Sequence, residues 1–171
     1  LLVALPFGES YWSATTFGPD TEVFVTIATK DTTGAEDIFI DLRLASPGVA
    51  ASTDGYELLL DNQAGDDRWR IFRIDDNVFT LLGAAMTTEY ASGDSFGFEA
   101  IGSTLTAYFK AAAGSWGAVG NRTDTTYTAA GNIDFGAAST DYIFDDFGGG
   151  TVVAAALPYQ PWQLRAPVLA Q

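Results

Sequence analysis

Neither cysteine nor histidine occurs in the chain. Without cysteine there is no disulfide framework, no thiol nucleophile and no zinc–thiolate site. Without histidine there is no Ser-His-Asp triad, no imidazole general base and none of the commonest transition-metal ligands. Positive charge is scarce as well: 8 Lys+Arg stand against 22 Asp+Glu, a formal net charge of −14. Such a surface repels phosphate backbones and anionic headgroups, so neither nucleic acid nor membrane is expected as a partner. The lysines are Lys30 and Lys110, and the one basic cluster is Arg68, Arg70 and Arg73. No apolar run reaches the about 18–20 residues needed to cross a bilayer. The opening Leu1–Leu5 is too short, and lacks the basic lead, to be a signal peptide's core. A start at Leu1 instead of Met suggests a processed or truncated chain.

What is present points to a folded β protein. The 171 residues are 47% hydrophobic and 13% aromatic, too apolar for disorder and a suitable length for one domain. Apolar residues recur mostly at period two. In Asp37–Leu44, Ile38, Ile40, Leu42 and Leu44 point one way and Asp37, Phe39, Asp41 and Arg43 the other; Val23, Val25 and Ile27 alternate similarly. Tyr56–Asp61 and Arg68–Ile74 flank the turn formers at 62–67 and read as a hairpin; a second turn, Asp75–Asn77, leads into Val78–Leu82. Phe96–Ile101 and Thr104–Lys110 alternate across a Gly102-Ser103 turn. Short segments follow at Trp116–Val119, Asn132–Phe135 and Tyr142–Phe147, giving about ten strands and no amphipathic helix of convincing length. Ala84–Glu89 has room for one helical turn, which Thr87-Thr88 and the nearby Gly83 disfavour. The core is expected to be led by Ile38, Ile40, Leu42, Phe96, Phe98, Leu105 and Phe109. Gly148–Gly150 closes the periodic region, and Pro158, Pro161 and Pro167 then disfavour strand pairing. The organisation expected is a β-sandwich or barrel over 1–151 and an extended Pro-rich arm over 152–171.

Arg68–Leu82, the Gly93–Lys110 hairpin (GDSFGFEAIGSTLTAYFK), Asp124–Gly136 and the closing Tyr142–Gly150 together resemble the concanavalin A-like, laminin-G-like jelly-roll modules. The likeness is to those common in bacteriophage structural proteins and extracellular proteins, and it covers a little over half of the chain. It implies an all-β, antiparallel two-sheet sandwich with one concave sheet. It leaves function among lectins, glycan-binding modules, glycosidases and virion structural domains.

Candidate sites are weighed on that frame. The carboxylate motifs of the fold's glycosidases, Glu-x-Asp-x-x-Glu and Glu-x-Asp-x-Glu on one strand, are absent. Asp37 and Asp41 lie ~13 Å apart along a strand, too far for the ~5–5.5 Å retaining geometry without help from another strand. No catalysis is expected. Weak calcium candidates are Asp61, Asp66, Asp124 and Asp134, in or beside oxygen-rich loops; no other cofactor is implied. For sugar, an aromatic face flanked by polar groups is needed. Trp116, between Gly114-Ser115 and Gly117, is the best candidate, with Tyr108 and Tyr127 assisting; the alternative is that Trp116 caps the core. The arginine cluster reads either as an anion patch or as cross-strand partners of Glu57, Asp61, Asp66 and Asp67. The arm carries Tyr159, Trp162, Leu164 and Arg165, and the expectation is that it lies across another subunit, Trp162 anchoring and Arg165 meeting an acid; residues 1–7 are expected to lie there too. The first reading is therefore a non-catalytic virion structural protein, capsid-decorating or tail-associated. It would assemble through its arms with virion subunits or copies of itself, at a virion surface or outside cells, and adhere to glycans. A free-standing lectin comes second, a glycosidase third.

Overall fold

The computed structural model describes residues 8–32, 37–48, 52–63 and 65–153, together with the backbone of 2–4. The strands are β1 Leu2–Ala4, β2 Glu9–Trp12, β3 Thr21–Thr29, β4 Asp37–Ala45, β5 Asp54–Asp61, β6 Arg68–Asp75, β7 Val78–Leu81, β8 Met86–Thr87, β9 Ser95–Ile101, β10 Thr104–Lys110, β11 Gly117–Thr123, β12 Asn132–Ala137 and β13 Ile143–Thr151. They form two antiparallel sheets. The larger has eight strands, ordered β1-β2-β12-β4-β5-β6-β7 with β8 also on β6; the smaller is β11-β10-β9-β3-β13. No helix occurs among the described residues. The antiparallel two-sheet jelly-roll sandwich that the resemblance implied is the fold found.

The two sheets bury their facing side chains against each other. Val23, Val25, Phe96, Phe98, Leu105 and Ala107 come from the smaller sheet, and Ile38, Ile40, Leu42, Tyr56, Leu58, Leu60, Trp69 and Ile71 from the larger. Phe109 of the expected core is half-buried at its margin. Trp69 is fully buried, edge-on to Phe96 and Phe109, with its indole N–H donated to the Thr88 carbonyl. Polar burial is concentrated at a few ties. Asp67 takes Lys30 Nζ at 2.7 Å and the amides of Gln63 and Tyr90. Arg43, its side chain fully buried, donates to the carbonyls of Pro19 (2.6 Å), Tyr127 (3.0 Å) and Gly102 (2.9 Å). Its φ of 54° lies at a register shift in β4, so the strand alternation that would have aimed it outward is broken there.

Several sequence expectations change. Residues 84–89 form no helical turn; Met86 and Thr87 pair with Trp69 and Arg68 as β8. The triple glycine does not end the periodic region but continues β13 opposite Phe24, Val23 and Glu22. A side chain at Gly148 would stand 2.6 Å from the Phe24 ring, and one at Gly149 would collide with the Glu22 carbonyl. The opening, expected on another subunit, has its backbone at Leu2–Ala4 paired with Ser10–Trp12 of its own sheet. Val152 still donates its N–H to the Asp20 carbonyl at 2.8 Å; the rest of the expected arm, with Tyr159, Trp162, Leu164 and Arg165, lies outside the described residues.

Arg43→Met would take the donor from the carbonyls of Pro19, Tyr127 and Gly102. It is expected to lower unfolding stability by about 1–3 kcal/mol in a denaturant titration. Arg68→Met, on the exposed face of β6, should stay within about 0.5 kcal/mol of the parent.

Candidate functional site

The outward face of the eight-stranded sheet is not an ordinary solvated face. Cross-strand register places Asp134 of β12 opposite Asp41 of β4, and Asp41 opposite Glu57 of β5. Directly opposed side chains have Cβ atoms about 4.5–5.5 Å apart, so three carboxyl groups from three strands form one row. Tyr11 and Phe72 continue the row on either side. The neighbouring row runs Glu9, Gly136, Phe39, Leu59 and Arg70. At Gly136 a side chain would collide with the Phe39 ring, so the glycine lets that ring lie flat across β12 toward Glu9.

The acids of this row are buried: Asp41 is 6% exposed, Glu57 5% and Asp134 2%. Burial, reinforced by Glu9, Asp37 and Asp134, pushes the Glu57 carboxyl up to about 8 against the opposing pull of Arg70. Burial and Glu9 raise Asp134 to about 8, although the amides of Ser10 and Phe135 favour its ionised form. Asp41 is raised well above its usual range by burial and by Glu57, Asp134 and Glu9, and Glu9 itself is raised by burial. Like charges this close in a poor solvent cannot all ionise, so the row holds protons at neutral pH. Arg70 does not neutralise it, because its guanidinium is paired with Asp61, which also accepts from Gln63. Asp41 Oδ1, Asp134 Oδ1 and Arg70 Nε are buried without a hydrogen-bond partner.

Beside this row the face forms an open groove of about 350 Å³. Phe39, Leu59, Phe72 and Phe79 give it an apolar floor, and Glu9, Asp37, Glu57 and Arg70 supply polar walls. Phe72 and Phe79 meet edge-on, ring centres 6.1 Å apart, and Phe79 on edge strand β7 is 48% exposed.

The residues picked from the sequence fall elsewhere. Trp116 and Tyr108 belong to the smaller sheet's outward side: Trp116 packs edge-on against Phe24 at 6.4 Å, and Tyr108 donates to Glu99 Oε1 at 3.2 Å. Phe24, Gly97 and Tyr108 stand in one cross-strand row. Tyr127 does not join them. It sits at an end of the sandwich, edge-on to Tyr56, its hydroxyl bonded to Asp54 at 3.1 Å and Asp75 at 2.7 Å. The calcium candidates are dispersed too. Asp61 is tied to Arg70, Asp124 accepts from Tyr56 and Arg73, Asp134 lies in the carboxyl row and Asp66 is an exposed turn residue. Among the described residues no three acidic side chains converge to hold a metal ion. The arginines resolve as acid partners: Arg70 with Asp61, Arg73 with Asp75 and Asp124. Glu9 of the groove and Tyr11 of the carboxyl row lie on β2, a strand that the sequence reading missed. The groove's available signal was the set of apolar residues at outward positions, Phe39, Leu59 and Phe72.

No protein-family model matches the sequence, and no curated protein matches it. Solved structures do. The carbohydrate-binding module CBM66 from Bacillus subtilis is 18% identical with a TM-score of 0.61, over 84% of this chain and 82% of that one. The enzymatically active domain of bacteriophage CBA120 tailspike protein 2 is 10% identical with a TM-score of 0.59, over 88% of this chain but 27% of its own. The toad ovary galectin solved with thio-digalactose is 9% identical with a TM-score of 0.53, over 83% of this chain and 98% of that one. At such identities the shared property is the lectin-like jelly-roll fold.

The carboxyl row predicts an unusual pH profile. Its acids titrate higher in the fold than in the unfolded chain, so their favourable contribution is complete below the unfolded value and is lost as pH climbs through about 8. Asp75 and Asp124, lowered by their hydrogen bonds, act in the opposite sense and weaken the fold only under stronger acid. Thermal midpoints should therefore peak in the weakly acidic range and fall steadily toward alkaline pH, and Glu57→Gln should flatten that fall.

Proposed function

We propose that the chain is a non-catalytic, lectin-like carbohydrate-binding domain whose ligand lies in the groove of the eight-stranded sheet. The observation that carries this is the groove itself, an aromatic and aliphatic floor between hydrogen-bonding walls. Sugars present apolar C–H faces and a rim of hydroxyls, and such a surface meets both. Glu57, held protonated, offers a donor and an acceptor together, while Asp37 and Glu9 accept. The likeness to CBM66 and to the galectin supports the reading. Catalysis is not part of it. Glycoside hydrolysis needs two carboxyl groups that flank the bond, and Glu57's neighbours in the row, Asp41 and Asp134, are 6% and 2% exposed.

A tail-associated role on a virion is a second reading, favoured by the likeness to the phage tailspike domain. In it the module sits at a virion surface and docks through residues 152–171. Outside a virion, the same domain would act as an extracellular lectin.

Two measurements check these readings. On a glycan array followed by titration, Phe79→Ala should weaken binding by about tenfold or more, about 1.4 kcal/mol, with little loss of stability. Trp116→Ala, on the smaller sheet, should leave binding unchanged; a loss confined to Trp116→Ala moves the site to that sheet. Deleting residues 158–171 should leave a folded domain that no longer incorporates into particles, and incorporation that survives the deletion removes the virion reading.

A further inference from the structure

The open edge of the larger sheet at β7 is built unlike the edges of the smaller one. Among the described residues no strand pairs with the outer side of β7. Val78-Phe79-Thr80-Leu81 carries no charge, and all four residues are exposed. Val78, Phe79 and Leu81 are large and apolar as well. Exposed edges are ordinarily blunted by charges or irregularities, since their unpaired backbone groups accept another strand. The smaller sheet follows that rule. Its edge β13 breaks register around Asp145 and Asp146, and its edge β11 shifts register against β10 and carries Arg122. By contrast, β7 runs in unbroken register with β6.

The hairpin fixes which groups that edge presents. Its two-residue turn, Asp76-Asn77, makes Asp75 and Val78 a hydrogen-bonded pair, and the Leu82 N–H donated to the Ile71 carbonyl at 2.8 Å keeps the same parity. Val78, Thr80 and Leu82 therefore direct their backbone groups to β6, while Phe79 and Leu81 direct theirs outward. An antiparallel copy of β7 meets all of them in one register, with Thr80 opposite Thr80. Phe79 of each copy then exchanges both backbone bonds with Leu81 of the other, and their apolar side chains lie side by side. Registers centred on Phe79 or on Leu81 match only one of the two residues. Charge favours the same orientation. Copies at −14 repel over most of their surfaces, but here the Asp75-Asp76 end of one β7 lies by the Gly83–Ala85 end of the other, away from its own counterpart. We propose that the chain forms a two-fold dimer by edge-to-edge pairing of β7, merging two eight-stranded sheets into one. The contact is small, so the dimer belongs to the weak, transient class. It requires no sugar, and it brings two grooves to one axis, with Phe79 lining each.

Sedimentation equilibrium of the whole chain, carried up to about 0.5 mM, should show a reversible monomer–dimer equilibrium. The absence of cysteine permits a test of the register itself. Opposed residues of a non-hydrogen-bonded pair have Cα atoms about 4.5 Å apart, within the span of a disulfide. Under oxidised glutathione, Thr80→Cys should form a disulfide-linked dimer about tenfold or more faster than Ala118→Cys, an exposed position on edge strand β11. Adding Leu81→Pro to Thr80→Cys should bring the rate down to that of Ala118→Cys, because the ring removes an outward N–H and leaves the bonds to β6 in place. Far-UV circular dichroism checks that each variant is folded, and Leu81→Lys, which sets a charge on the edge, decides the matter if Leu81→Pro does not fold. Equal rates for Thr80→Cys and Ala118→Cys overturn the dimer, as does a parent chain that stays monomeric at every concentration. A parent dimer that persists in Leu81→Pro and is lost on deleting residues 158–171 overturns it too, and assigns assembly to the arm.

Discussion

The eight-stranded sheet can form only if acids on three adjacent strands surrender their charge. Asp134, Asp41 and Glu57 stand opposite one another across β12, β4 and β5, and moving three carboxylates into so dry a row would cost far more than the sheet returns. Protonation lowers that cost without removing it, since an apolar trio of the same volume would pack there more stably. The row is therefore a poor device for stability. It adjoins the groove, and the Glu57 it shares with that groove is held neutral by it.

The two outward faces of the sandwich have different characters because of this. The larger sheet combines acids with Phe39, Leu59, Phe72 and Phe79, none of which is needed for the interior. The smaller sheet carries Phe24, Tyr108 and Trp116 beside Glu22 and Glu99, with Tyr108 tied to Glu99. Both hold aromatic rings near carboxylates. On the larger sheet they line a depression with unmatched polar atoms beside it.

Alternation was enough to reveal an all-β sandwich or barrel, since Val23/Val25/Ile27 and Ile38/Ile40/Leu42 mark strands with one buried side whatever their partners; the choice of a two-sheet sandwich came from the resemblance of Arg68–Leu82, Gly93–Lys110, Asp124–Gly136 and Tyr142–Gly150 to concanavalin A-like modules. The hairpins were legible for the same local reason: Asp76 and Asn77, with φ of 48° and 64°, make the tight two-residue turn that their residue types favour. What sequence could not show was which strands become neighbours. Asp41 and Glu57 are only a hairpin apart, but Asp134 joins them from the far end of the chain, and Glu9 enters on β2, a strand with too short and too polar a pattern to notice. The distance argument that dismissed Asp37 and Asp41 as a pair was sound along one strand and irrelevant across three. Trp116 attracted attention for its glycine-rich surroundings, a local feature. The groove is a product of register. The three glycines of β13 misled in the opposite direction, because residues that punctuate loops also serve where a strand must pass close beneath a ring such as Phe24.

Arg43 carries a consequence for how the chain comes to be folded. Its three carbonyl partners lie 24, 59 and 84 residues away in sequence, in segments that precede β3, connect β9 to β10 and lead toward β12. Those segments can meet the guanidinium only after both sheets have closed upon each other, so the tie belongs to the last stage of assembly. Contacts of such long range make folding slow. Contacts made after the rate-limiting step act almost wholly on the reverse reaction, because they must be broken before the barrier is reached. The buried guanidinium is thus a latch on the exit: it does little to hasten arrival at the native sandwich, and it lengthens the time the sandwich stays closed.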